Sequence, residues 1–292
     1  MSDLTKLSND TLSLTVSPRG AEMTRFQAGG VDLLWHGDET WWGSHAPVLF
    51  PIVGNSVQGH IAFEGKDYPL HRHGFARKTG FSLLEASATK AVFQLTDSEK
   101  TRAQYPYAFA MNVIYELDGG TLTNTIEIEN RDTRPMPFGV GFHPAFLCPF
   151  PGSEKQTHYI QLTNKAEPLM ARLTEGNEFV QTKRYPSPFA KGRFDIDRSY
   201  FDEDAMIFPE GAGDGLILGA DGGSQLSFTF SNLPNLAIWA KPGPCPYICI
   251  EPWSGMCATE GTSNDIYDRV GTQVLDSGEN KRFSYSVTPD LT

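Results

Sequence analysis

Apolar residues recur at every second position in several short runs: Leu12, Leu14 and Val16; Met111, Val113, Tyr115 and Leu117; Leu226, Phe228 and Phe230; Phe283, Tyr285 and Val287. A period of two builds a strand with one buried face, whereas a helix would scatter these residues around its circumference. The 28 glycines and 20 prolines are spread through all 292 residues, so the chain is interrupted before a long helix can grow. Between Tyr107 and Glu129 two alternating runs flank Asp118-Gly119-Gly120-Thr121, where glycine supplies the positive φ of a tight hairpin turn. The strand-then-helix rhythm of a doubly wound sheet is missing. An all-β, antiparallel sandwich or barrel with few short helices is therefore expected. Neither a fixed-period repeat nor a long linker divides the chain, which predicts a single domain over residues 1–292. The stretch Glu167–Arg198, rich in Pro, Lys and Arg, reads as surface loops around a site.

The 24 Lys and Arg against 35 Asp and Glu leave a net charge of −11. That balance, with no long basic run, argues against nucleic-acid or anionic-membrane partners, both of which require phosphate neutralisation. A small neutral partner fits better. Met1–Lys6 lacks the pattern of a signal peptide and no apolar run is long enough for a membrane-spanning helix, so a cytoplasmic location is expected. The four cysteines, Cys148, Cys245, Cys249 and Cys257, are then read as free thiols. Three of them cluster late in the chain, but their spacing is not that of paired zinc ligands and no histidine accompanies them.

Three segments bring turns, aromatics and titratable groups together. The first runs Pro47-Val48-Leu49-Phe50-Pro51-Ile52-Val53-Gly54 and resumes at Tyr68 with Pro69-Leu70-His71-Arg72-His73-Gly74-Phe75-Ala76-Arg77. The second is Gly141-Phe142-His143-Pro144-Ala145-Phe146, and the third is Tyr247-Ile248-Cys249-Ile250-Glu251-Pro252-Trp253. Glu251 closes an apolar run, so partial desolvation should raise its pKa and make it a stronger base, unless it merely caps backbone amides or pairs with a surface arginine. His143 suits a general acid or base, since imidazole exchanges its proton near neutral pH; a hydrogen-bonded structural histidine is the alternative. His71 and His73, two apart, would share a face in a strand and could chelate a metal, but no third ligand declares itself. Arg77 offers a fork of donors to hydroxyls or phosphate, or else a surface ion pair. Asp204 precedes an apolar stretch and could accept hydrogen bonds from a polyol. Trp253, beside Glu251, is the best placed of the five tryptophans to stack on a pyranose. Gly211, Gly213 and Gly215 lack the surroundings of a phosphate loop and read as a turn.

Taken together, Leu49-Phe50-Pro51 with Gly54, His73-Gly74-Phe75-Ala76-Arg77, Gly141-Phe142-His143-Pro144 with Phe146, Asp204-Ala205, and Ile250-Glu251-Pro252-Trp253 with Gly255 resemble the aldose 1-epimerase (galactose mutarotase-like) family, and within it the LacX-like branch. The resemblance runs from about Leu12 to Pro289. It implies a large antiparallel β-supersandwich, a sugar as the small-molecule partner, and no metal or organic cofactor. It also implies catalytic roles for His143 as acid and Glu251 as base, with His73, Arg77 and Asp204 at substrate-binding positions. Two departures bear on the substrate. Asn55 stands where the family often carries an arginine, so the sugar contact at that position changes, and the loop after Trp253 reads Ser254-Gly255-Met256-Cys257-Ala258-Thr259-Glu260 where LacX-like chains more often show an Arg and an Asp.

The leading expectation is an aldose mutarotase for a free hexose or pentose, acting as a monomer or homodimer. A hexose-6-phosphate mutarotase would recruit Arg72, Arg77 and Lys78, while Asn55 removes one basic contributor to phosphate binding. A non-catalytic sugar sensor would leave Glu251 and His143 dispensable. A glycosidase would pair Glu251 with Asp204 and leave His143 without a task.

Overall fold

Three of the four alternating runs, all but that of Leu12, Leu14 and Val16, pair into a nine-stranded antiparallel sheet. In a computed structural model that describes residues 4–209, 211 and 213–292, its spatial order is Arg193–Asp195, His158–Leu162, Gly215–Ala220, Gln225–Ser231, Asn280–Asp290, Thr121–Asn130, Phe109–Asp118, Lys90–Thr96 and Ser82–Ala86. The hairpin expected around Gly119-Gly120 is present, with Asp118 opposite Thr121 and the register continuous to Phe109 opposite Asn130. Along residues 113–118 and 283–287 every second side chain is buried, as the sequence pattern requires. A four-stranded sheet formed by Thr5–Ser8, Leu12–Ser17, Glu22–Ala28 and Val31–Asp32 is tied to the large sheet where the Tyr115 hydroxyl donates to the Ala21 carbonyl at 2.7 Å.

A smaller sheet carries the site. It orders Met206–Phe208, Asn235–Trp239, Tyr247–Ser254, Val140–Phe142 and Val48–Leu49, with Ala145–Leu147 also paired to Tyr247–Ser254. One face of this sheet packs on the large sheet through edge-on aromatic pairs. Phe142 meets Tyr285 at 4.9 Å between ring centroids, and Phe146 meets Phe228 at 5.1 Å. Such pairs contribute roughly 0.5–1.5 kcal/mol each beyond burial alone. Because neighbours along a strand point to opposite faces, the pairing of Phe142 and Phe146 with the large sheet turns His143 the other way. Helix is confined, among the described residues, to Glu99–Arg102, capped by Ser98, and a few single 3-10 turns. No helix among them is long and apolar enough to cross a membrane.

Candidate active site

A gap in one β-ladder creates the centre of the site. Gly141 pairs with Trp253, and Ala145 pairs with Cys249. Between these two pairs the ladder lapses, and the common register puts His143 opposite Glu251. Two prolines explain the lapse. Pro144 has no N–H to give, although its carbonyl accepts from Ile250 N at 3.1 Å. Pro252 lies two residues beyond Ile250, faces the same side and also lacks a donor. His143 is held instead through its own N–H, which donates to the Pro47 carbonyl at 3.1 Å. The result is a contact of 3.2 Å between His143 Nε2 and Glu251 Oε2.

Around this pair lies a cavity of about 340 Å³, within the range usual for small-ligand sites. Trp42, Trp239 and Trp253 supply its aromatic surface, while Ala237 opposite Glu251 keeps that stretch of the floor small. Trp42 stacks on the His143 ring at 4.9 Å with a 27° interplanar angle, and Trp239 meets it edge-on at 5.8 Å. Trp253 lies against Gly141 so closely that a Cβ there would come within 2.5 Å of the Trp253 ring.

Loops form the rim. His73 adopts φ +65°, sparsely populated for a non-glycine residue. Its backbone N–H donates to the Gly54 carbonyl at 2.9 Å, and its Nδ1 accepts from the Gly54 N–H at 3.1 Å. Neutral His73 must therefore carry its proton on Nε2. Gly74, also at positive φ, follows because any Cβ there would meet the Phe50 carbonyl at 2.2 Å. Asn55 Oδ1 accepts from Arg72 Nε at 3.0 Å. The loop beneath is fastened by Arg269, a buried guanidinium donating to the carbonyls of Asn55, Val53 and Met256 at 2.6–2.9 Å. Across the cavity, Asp204 sits at φ +65° in a turn braced by buried Arg172, which donates to the Tyr200 and Asp204 carbonyls. Left-handed backbone at both His73 and Asp204 costs on the order of 1–3 kcal/mol each, a cost the surrounding hydrogen bonds must offset.

The electrostatics follow from burial. Desolvation pushes the Glu251 carboxyl well above the usual carboxylate range, and the Asp204 charge adds to the shift. Burial likewise depresses His143 to about 3, helped by the Arg77 and Arg72 charges. His73 is driven well below an ordinary histidine by burial and by His143, Arg77 and Arg72. Each member of the His143–Glu251 pair thus resists standing charged. The raised Glu251 matches the expectation from its apolar run. For His143 the balance is opposite to that of a free imidazolium, because no carboxylate offsets its burial without itself becoming charged.

All seven residues singled out from the sequence line this one cavity: His143, Glu251, His73, Arg77, Asp204, Trp253 and Asn55. Arg72 joins them, Lys78 does not. The shared-face reading of His71 and His73 fails, because both lie in a turn where His73 adopts left-handed backbone, and they enter no metal-type cluster among the described residues. All four cysteines are buried free thiols. The late three do not gather together. Among the described residues the one cluster of metal-ligand type joins Cys249 to His143 and Glu251. Arg172 and Arg269 escaped the sequence reading altogether, since an arginine that binds backbone carbonyls has no partner motif to betray it. Trp42 and Cys257 line the cavity too, the second within the loop after Trp253 that departs from the LacX-like pattern.

A buried His–Glu pair beneath an aromatic cavity with a polar rim, on a large antiparallel β-sandwich, has the features of a site for a small polar ligand. The aldose 1-epimerase family model matches residues 3–288, and the chain belongs to that family. It is 28% identical over 294 residues to the chromosomal protein LacX of Lactococcus lactis subsp. lactis, covering 97% of this chain and 98% of that one. Its fold matches the crystal structure of a galactose mutarotase related enzyme from Lactobacillus acidophilus with a TM-score of 0.92 at 27% identity, covering 99% and 98% of the two chains. A galactose mutarotase-like protein from Lactobacillus casei matches with a TM-score of 0.90 at 26% identity, covering 99% and 100%.

Proposed function

We propose that the protein is an aldose 1-epimerase that interconverts the α and β anomers of a free hexose or pentose. The observation that carries this reading is the His143 Nε2–Glu251 Oε2 contact of 3.2 Å on the cavity floor; in this reading the pair shares one proton. In the working form that proton sits on His143 Nε2 and Glu251 is the carboxylate, reached from the resting distribution by a transfer across the contact. Glu251 then takes the proton of the anomeric hydroxyl while His143 gives one to the ring oxygen, and the C1–O5 bond opens to the aldehyde. Rotation about C1–C2 exposes the other face of the carbonyl. Reclosure with both transfers reversed gives the other anomer and restores the pair.

The rim orients the sugar. His73 Nε2–H donates toward the ring oxygen, Arg77 and Asp204 hold hydroxyls in register, Asn55 borders the sugar where the family often has arginine, and Trp253 offers its face to the pyranose. Protein groups carry every step, without cofactor or metal. The acid excess and free thiols fit a cytoplasmic, single-domain enzyme, monomeric or homodimeric, whose partner is the sugar itself. One observation favours a second substrate class: Arg72 and Arg77 both reach the same rim, and Asn55 aligns the first of them, an arrangement suited to a 6-phosphorylated aldose.

Anomer exchange measured by NMR over free and 6-phosphorylated aldoses, with a protein-free blank, tests the reading. Enhanced exchange that Glu251→Gln lowers by about 10²–10⁴-fold is expected. Sugar binding without enhancement would instead identify a sensor, and release of an aryl group from an aryl glycoside would identify a hydrolase.

A further inference from the structure

At the base of the cavity three different donor atoms lie together: an imidazole nitrogen of His143, the thiol sulfur of Cys249, buried behind the cavity wall, and a carboxylate oxygen of Glu251, all within 4.8 Å of one another. The backbone makes this cluster unavoidable. Cys249 and Glu251 are two apart on one strand and share a face, while the register that sets His143 opposite Glu251 sets Ala145, with its small side chain, opposite Cys249. No large group is interposed between the sulfur and the acid–base pair from that neighbour. The proton-transfer reading gives Cys249 no task.

Donor type and spacing identify what would fit. In a tetrahedral zinc site, bond lengths of about 2.0–2.3 Å separate neighbouring ligand atoms by roughly 3.3–3.7 Å. The His143–Glu251 contact of 3.2 Å already lies at that spacing, and the sulfur lies within 4.8 Å of both atoms. Mixed nitrogen, sulfur and oxygen donors suit Zn²⁺ or Cd²⁺, whereas Mg²⁺ and Ca²⁺ prefer shells of oxygen. His143 and Glu251 line the cavity, so a fourth ligand would approach from that side. Charge also balances: a thiolate, a carboxylate and a neutral imidazole around a divalent ion sum to zero, so the buried complex carries no net charge past the rim cations Arg72 and Arg77.

We propose that His143, Cys249 and Glu251 form an inhibitory site for Zn²⁺, in which the metal replaces the proton shared by the catalytic pair. On binding, the thiol proton and the proton of the pair leave to solvent, and one metal ion takes their place. His143 Nε2 and Glu251 then lose the lone pairs that proton transfer requires. The metal site rests on geometry, while its inhibitory effect rests on the mutarotase reading above.

The test uses the full chain. Binding of Zn²⁺ is measured by competition against a chromophoric chelator, binding of Cd²⁺ by the ultraviolet thiolate-to-metal charge-transfer band, and anomer exchange is followed in parallel. Wild type should bind one equivalent, show the band and lose exchange in step with occupancy. Cys249→Ser should lose the band and weaken Zn²⁺ by more than the roughly 10–100-fold that loss of an outer-shell partner costs, while its exchange without metal persists. Cys249→Ala provides a second variant should serine, a polar group in a buried site, disturb the fold. Failure to bind stoichiometrically, or binding indifferent to both substitutions, overturns the site. Binding that leaves exchange intact overturns the inhibition and counts against His143 and Glu251 as the proton-transfer pair, whereas exchange lost in Glu251→Gln with no metal binding in wild type sinks the metal site alone.

Discussion

His143 and Glu251 face each other because a backbone ladder runs in register on both sides of a gap, whereas Asn55, Arg72 and His73 hold their places through individual hydrogen bonds between loops. The floor of the cavity is thus an outcome of strand pairing, and its side chains are free to be chosen for chemistry. The rim is an outcome of clamps, above all Arg269, which spends its donors on three carbonyls of the loops it joins. Substitution should therefore separate the two regions: floor variants alter turnover and spare the fold, while clamp variants alter the fold and the affinity together.

The largest contrast is expected at Glu251. Glu251→Gln should lower kcat by about 10²–10⁴-fold with melting temperature unchanged or raised, because the amide removes a carboxyl that burial already penalises. Calorimetry alongside anomer exchange measures both quantities, and a large loss of stability would erase the distinction. Next comes Arg269→Met, which keeps the length of the side chain but leaves the Asn55, Val53 and Met256 carbonyls without their donor. A loss of about 3 kcal/mol is expected, which corresponds to roughly 6–12 °C in Tm for a chain of this size, together with a raised KM. The smallest effect belongs to Asn55→Ala. Loss of the 3.0 Å hydrogen bond to Arg72 should raise KM by up to about fivefold, equivalent to about 1 kcal/mol, with kcat and Tm little changed; a change confined to kcat would move Asn55 from the rim to the chemistry.

What the sequence disclosed follows the same division. The strands of the large sheet bury one face, so their alternation is written in the residues themselves, as at Phe283, Tyr285 and Val287. Tyr247–Ser254 is buried along its whole length and carries no alternation. It reads as an apolar run stopping at Glu251, although the strand continues through Pro252 to Ser254. Glu251 and His143 were legible as unusual groups in apolar, proline-marked settings. Their pairing was not, because a register between segments about a hundred residues apart leaves no local trace. His73 illustrates the opposite error: a two-residue spacing suggested a strand, and contact of Gly74 with the Phe50 carbonyl imposed a turn. Arg172 and Arg269 were invisible because their partners are backbone carbonyls, which every residue possesses.

The central claim, that a buried pair sharing one proton exchanges the anomers, is tested most directly by the pH dependence of enzyme-catalysed anomer exchange after subtraction of the blank. With His143 depressed to about 3, acidification should add a second proton to the pair only near that pH, and the rate should stay level through the ordinary histidine range around 6.5. On the alkaline side the rate should fall as the pair loses its proton, at a pH set by the raised Glu251. A level rate through 6.5 with an alkaline fall abolished in Glu251→Gln is the predicted result; a rate that drops on acidification through 6.5 would mean that His143 titrates as an exposed histidine and would contradict the account.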